Sequence, residues 1–304
     1  MRVIGYRKQR TLAGTAAVPG VGFITGARVT ARFHPAPPDT GIVFRRVDLP
    51  GSPTVPARVE WVSGTARRTT LGPPESGVTL VEHVLAALSG SRIDNCVVDL
   101  DGPEPPGLDG SAEGFVRALA AAGAVLQSAQ RLIYAVEEPA VVRAPGATLT
   151  LHPGESNAEA ELRVSYLLNY GLGAPLSPQT HTLRVCPATF TQDLSRCRTF
   201  VTEPEAAGLR AQGIGRHLTP ANLLVFGKRG PIDNAVRFAD EPARHKILDL
   251  IGDLALCGFD LAGHLVAYRS GHALNVELAR LLAAAADGRN SASHTVVKSV
   301  RQAA

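Results

Sequence analysis

Lysine is scarce in this 304-residue chain: Lys8, Lys228, Lys246 and Lys298 are the only four among 31 basic residues. The arginines that make up the rest are scattered, with Arg45-Arg46 and Arg67-Arg68 the densest pairs, and the net charge is +4. With no basic run, neither a polynucleotide partner nor an anionic membrane surface is expected. A phosphorylated small molecule suits the slight excess better. Cysteine is thin too: Cys96, Cys186, Cys197 and Cys257 include no pair at CxxC spacing. So few thiols build neither a thiolate zinc cluster nor a disulfide framework, so a reducing compartment, the cytoplasm, is expected. Long apolar runs are missing. The best, Leu250 to Tyr268, is broken by Asp253, Asp260 and His264, which excludes it as a membrane span. Met1 to Leu12 has charge but no apolar stretch, so no secretory leader is expected.

What is present is a globular composition, 45% hydrophobic and 19% charged, which excludes wholesale disorder. The length predicts two domains. The polar segment Gln127–Arg131 separates two apolar blocks and is read as the boundary, giving domains 1–128 and 129–304. Alternation predicts strands at Val29–Phe33, Gly41–Leu49, Asn95–Leu100, Ile133–Val142, Thr148–Leu151, Glu159–Leu168 and Leu265–Tyr268. Helical spacing predicts Leu80–Leu88, with Thr79 and Glu82 at capping-box spacing, and Ser111–Ala122, capped by Ser111 and closed by Gly123. Further helices are expected at Pro187–Leu194, Glu205–Gln212, Glu241–Cys257 and Leu274–Ala285. The halves echo each other: Phe33-His34-Pro35 and Leu151-His152-Pro153 each close a strand, and Glu82-His83 and Arg244-His245 each open a helix that a strand follows. A duplication with an insertion in the second half would set His83 and His245 on facing walls of one cleft.

The chemistry concentrates in three places. In His245-Lys246-Ile247-Leu248-Asp249, histidine and aspartate four apart share a helix face and can grip one ion, with Asp253 a turn further on as a partner for a neighbouring histidine. Alone, the spacing is more often a solvated ion pair. Glu82-His83 sets a candidate base beside a candidate ligand, although a capping glutamate and an ordinary histidine would look the same. Two imidazoles (His83, His245) and one carboxylate (Asp249) leave a coordination position for water, as catalytic zinc needs; non-haem iron(II) uses the same donors. Ser270-Gly271-His272 offers a candidate general acid oriented by Asp253. A non-enzymatic scaffold has no use for all five of Glu82, His83, His245, Asp249 and His272.

Read in order, the stretches Gln9-Arg10-Thr11-Leu12, Gly20 to Gly26, Pro35 to Arg46, Thr79 to Leu88 (TLVEHVLAAL), Ile93-Asp94-Asn95, Leu108 to Ser111 (LDGS), Ser195 to Phe200 (SRCRTF), Val236 to Asp253 (VRFADEPARHKILDLIGD) and Ser270 to Asn275 (SGHALN) resemble the UDP-3-O-acyl-N-acetylglucosamine deacetylases of lipid A biosynthesis. The resemblance implies an α+β fold of two similar domains, each a sheet layer packed on helices, with the site between them. It implies a passage for the substrate acyl chain in the second-half insertion. It places one Zn2+ (with Fe2+ an alternative in the cell) on His83, His245 and Asp249. Glu82 is then the general base, His272 the acid held by Asp253, and Thr199 an oxyanion donor. Lys246, Phe200 and Arg269 contact the nucleotide-sugar substrate. A cytoplasmic monomer is implied. Two departures stand out: Ile24 replaces a histidine of the family's first glycine loop, and His217-Leu218-Thr219-Pro220 replaces part of a Gly-Gly-x-x-x-Asn-Ala stretch. These leave open a related N-acetylated nucleotide sugar as substrate.

Overall fold

A computed structural model describes residues 1–154 and 160–288. The first half comprises β1 (Arg2–Leu12), β2 (Ala16–Val21), β3 (Arg28–Pro35), β4 (Ile42–Arg46), β5 (Thr54–Pro56), the short strands β6 (Val62–Gly64), β7 (Thr70–Leu71) and β8 (Val78–Thr79), helix α1 (Glu82–Gly90), β9 (Cys96–Leu100) and α2 (Glu113–Ala122). The chain continues through β10 (Ala124–Ala135), β11 (Ala140–Ala144), β12 (Ala147–His152), β13 (Leu162–Leu168), β14 (Gln179–Arg184), the single turn α3 (Pro187–Thr189), β15 (Phe200–Thr202), α4 (Glu203–Ala211), β16 (Leu224–Gly227), β17 (Gly230–Pro231), α5 (Glu241–Leu254), β18 (Asp260–Tyr268) and α6 (His272–Ala286). The class is mixed α+β, as expected.

Two sheets repeat one topology. In the first, β2-β3-β9-β4-β5 pair as antiparallel, antiparallel, parallel, antiparallel. In the second, β11-β12-β18-β13-β14 pair in the same sequence of senses. The helices repeat as well: α1 precedes and α2 follows the central β9, as α5 precedes and α6 follows the central β18. The echo in the sequence is therefore structural, and the longer stretch of the second copy lies between β14 and α5, at residues 185–240, against 57–81 in the first. Inward positions of both sheets, among them Phe33, Phe44, Leu149, Leu151 and Val164, are fully buried with Leu85, Leu88, Phe115 and Leu248 in one apolar core. Each such side chain contributes roughly 1.5–3 kcal/mol by leaving water.

Several boundaries differ from expectation. Gln127–Arg131, read as the boundary, lies within β10, a strand that pairs with β1 on one side and β18 on the other. Exposure alternates along it, with Ser128 and Gln130 exposed and Gln127, Ala129 and Arg131 half-buried, so one face of the strand is wet. The strand expected over Ile133–Val142 is broken at Val136–Pro139, where proline cannot donate to a ladder. Thr79 does not cap α1: it pairs with Thr70 in the β7–β8 ladder, Leu80 takes a left-handed turn (φ 57°), and the helix begins at Glu82. The helix after Ser111 begins at Glu113, with the Ser111 hydroxyl accepting the Glu113 N–H at 3.3 Å. Strand β13 begins at Leu162, and Glu159 lies outside the described residues. Strands β1, β2 and β14 escape pattern reading; β1 is an edge strand whose charged residues blur its alternation. No helix among the described residues is long and apolar enough to cross a membrane.

Candidate active site

Helices α1 and α5 cross at a contact only glycine permits. A Cβ on Gly252 would lie 2.1 Å from the Glu82 carbonyl oxygen, so α5 rests directly on the first turn of α1. That contact sets Glu82 and His83 opposite His245, Asp249 and Asp253, which succeed one another at four-residue spacing along α5. All three α5 residues are buried, Asp253 completely, so a solvated ion-pair face is excluded. His272, the first residue of α6, closes the third side.

The donor atoms converge. The Nε2 atoms of His83 and His245 lie 3.0 Å apart, and Asp249 Oδ1 is 3.5 Å from His83 Nε2. One ligand atom from each of the three lies within 4.8 Å of the others. Burial pushes His245 down to about 3, so its imidazole is neutral and carries a free lone pair. Burial opposes ionisation of Asp249, but His245 and the Lys246 ammonium, 3.0 Å from Oδ2, hold its carboxyl well below the usual range. Two imidazole nitrogens and an ionised carboxylate facing one point fit a divalent transition metal.

The titratable groups around this point differ in sign of shift. Glu82 is pushed up by burial, and one of its oxygens accepts the Thr69 N–H at 3.1 Å. His272 is raised to about 9: burial works against its charge, but the carboxylates of Asp253 and Glu82 outweigh it. Its Nδ1 donates to Asp253 Oδ2 at 2.9 Å, while Nε2 stands 4.0 Å from both Glu82 Oε1 and Asp249 Oδ2. The second Asp253 oxygen accepts the Thr69 hydroxyl at 2.6 Å, and Asn275 Nδ2 donates to Oδ2 at 2.9 Å.

Thr199 Oγ1 lies 3.0 Å from His245 Nε2 and 3.4 Å from His83 Nε2. Its strand is held from two sides. Arg198 makes a buried fork to Glu241, at the start of α5, with nitrogen–oxygen distances of 2.8 and 3.0 Å. The Thr199 N–H donates to Gly110 O at 2.8 Å, and Gly110 (φ 83°) is packed so that a Cβ would meet Asn222 O at 2.5 Å. The Leu108–Ser111 segment of the first half thus places a residue of the second. Phe200 is buried with its ring edge-on to His245, Tyr170 and Phe226, and Lys246 Nζ sits 5.6 Å over its face. Arg269 stands apart from the donor cluster, exposed, in a left-handed turn (φ 53°) after β18, its guanidinium alongside Gly146. The two departures from the family pattern meet in space. The His217 ring sits on Gly26 and donates to Gly22 O at 3.0 Å, while the Ile24 and Thr25 N–H groups are held by the buried Glu104 carboxylate.

Thr69, Asn275, Arg198 and Glu104 had no signal in spacing, because each acts through a contact between segments far apart in the chain. For Asn275 and Arg198 there was a hint, their places in the SGHALN and SRCRTF stretches.

The family model for UDP-3-O-acyl N-acetylglycosamine deacetylase matches residues 9–284. Among similar proteins, the UDP-3-O-acyl-N-acetylglucosamine deacetylase of Nostoc sp. is 39% identical over 282 residues, 91% of this chain and 99% of that protein. Those of Thermosynechococcus vestitus and Myxococcus xanthus are 39% and 38% identical, over 90% and 92% of this chain and 94% and 87% of theirs.

Proposed function

This chain belongs to the UDP-3-O-acyl N-acetylglycosamine deacetylase family, and from that premise we propose that it hydrolyses the N-acetyl amide of a UDP-linked, 3-O-acylated N-acetylglucosamine in lipid A biosynthesis, releasing acetate. The observation that carries the reading is the convergence of a two-histidine, one-carboxylate donor set with a buried base and a buried imidazole.

His83, His245 and Asp249 would hold the metal, taken as one zinc per chain. When bound, zinc supplies Lewis acidity to water and to the amide carbonyl. Glu82, raised by burial, takes the proton of the attacking water, a role suited to a carboxyl tuned toward neutrality. As the C–N bond breaks, His272 passes its proton to the departing nitrogen while Asp253 holds the ring by Nδ1. Acetate and a free amine result. The Thr199 hydroxyl donates to the oxygen that gains charge. Lys246 meets the polar part of the substrate, Phe200 shapes the wall beside it, and Arg269 is assigned to the pyrophosphate, for which a guanidinium offers a two-pronged contact. The 185–240 segment, which brings Phe200 and Phe226 edge to face, is assigned to the acyl chain. We place the enzyme in the cytoplasm as a monomer.

The test is mass-spectrometric detection of acetate release from UDP-3-O-acyl-N-acetylglucosamine of several chain lengths. Activity should vanish on full chelation and return with stoichiometric zinc. A zinc-loaded protein that releases no acetate from any of these substrates contradicts the proposal.

A further inference from the structure

We propose that Thr69 is a positioning residue that joins Glu82 and the Asp253–His272 pair into one unit, an assignment that rests on the deacetylase reading above. The side chain is fully buried. Its N–H donates to Glu82 Oε2 at 3.1 Å, and its hydroxyl donates to Asp253 Oδ1 at 2.6 Å and lies 3.4 Å from His272 Nδ1. One residue therefore fixes a carboxylate oxygen on each of two helices. It also touches the imidazole on the third.

The chain is built to hold Thr69 there. The next residue, Thr70, pairs with Thr79 across the β7–β8 ladder and exchanges a hydroxyl contact with it at 2.8 Å, and the preceding Arg68 donates to the Thr79 hydroxyl at 2.8 Å. This short sheet ends three residues before Glu82, so the ladder that would otherwise cap α1 instead carries Thr69 to the carboxylates. With Asn275 Nδ2 and His272 Nδ1 on Asp253 Oδ2, the Thr69 hydroxyl on Oδ1 completes the hydrogen bonding of a buried carboxylate. A carboxylate bound at both oxygens cannot rotate, and the imidazole on it is aimed with it. The hydrogen bonds of Thr69 go to Glu82, Asp253 and His272 rather than to His83, His245 or Asp249, so its removal should disturb aim and leave ligation alone.

Three variants test this. Thr69→Val keeps shape and the N–H but removes the hydroxyl; kcat should fall roughly 10- to 100-fold, the scale of one lost bond to a charged group, with KM and bound zinc within about twofold of the parent. Thr69→Ser, which restores the hydroxyl, should recover kcat to within about threefold. In an Asp253→Asn background, Thr69→Val should cost little more, because the group it acts through is already altered. The His272 Nδ1 proton, followed by NMR in the zinc-loaded protein, should be displaced in Thr69→Val and keep its parent position in Thr69→Ser. This readout needs no turnover, so it separates failure of the positioning role from failure of the deacetylase reading. If Thr69→Val keeps parent kcat and parent proton position, or Thr69→Ser is as impaired as Thr69→Val, the assignment is overturned.

Discussion

At the scale of single residues, the site separates jobs by burial and by neighbour. Glu82 and Asp249 are both buried carboxyls, yet one is raised and the other depressed, because Asp249 faces Lys246 and His245 while burial dominates at Glu82. That split suits the roles proposed above, the base for Glu82 and ligation for Asp249. Glu82→Gln keeps the side chain's size and removes its basicity, so kcat should drop about 100- to 10,000-fold while zinc content by elemental analysis stays at the parent value. A variant that lost both together would make Glu82 a ligand. The donors were legible in the sequence because helical geometry fixes His245, Asp249 and Asp253 on one face, and the family stretches supplied their partners across the cleft. The contacts of Thr69 and Arg198 were not legible. Their partners, Asp253 and Glu241, stand 184 and 43 residues away, and although Arg198 falls in the SRCRTF stretch, no spacing ties either residue to its partner.

At the scale of elements, the close crossing of α1 and α5 sets the geometry of the site. Alanine is favoured over glycine inside a helix by about 1 kcal/mol, which alone would make Gly252→Ala stabilising. Here the added carbon would sit 2.1 Å from a backbone oxygen that cannot swing aside. Overpacking of this kind costs about 1–3 kcal/mol, so the clash outweighs the propensity gain. Gly252→Ala should therefore lower the urea midpoint and, by pushing Glu82 away from His272, lower kcat as well; a variant more stable than the parent would refute the contact. The helices themselves were readable from periodicity. Their starts were less so, since α1 begins without a side-chain cap and Thr79, the apparent cap, is spent in a ladder.

At the scale of the whole molecule, four charged residues bind the two repeated sheets together. Arg7 on β1 forks to Asp94 at 2.7 Å and reaches Asp260 at 2.6 Å, and Arg131 on β10 reaches Asp260 at 3.0 Å. Asp94 lies in the turn between α1 and β9 of the first copy, and Asp260 opens β18, the central strand of the second. Beginning near the cluster, β18 leads into His272, and α1, whose first turn carries Glu82 and His83, ends near Asp94, so the cluster fixes the far ends of elements that carry the site. Burial opposes the charge of Asp260, but Arg131 and Arg7 hold its carboxyl below the usual value. A depressed carboxyl stabilises the fold above its unfolded pKa of about 4, and that contribution is lost as pH falls through the lower folded value. Asp260→Asn should thus cost about 1–3 kcal/mol at pH 7, since two arginines lose their charged acceptor. The gap between parent and variant in denaturant unfolding should narrow steadily below about pH 4, because acid neutralises in the parent what the substitution has already removed. A gap that stays constant to pH 2 would mean that the cluster holds the sheets by shape rather than by charge.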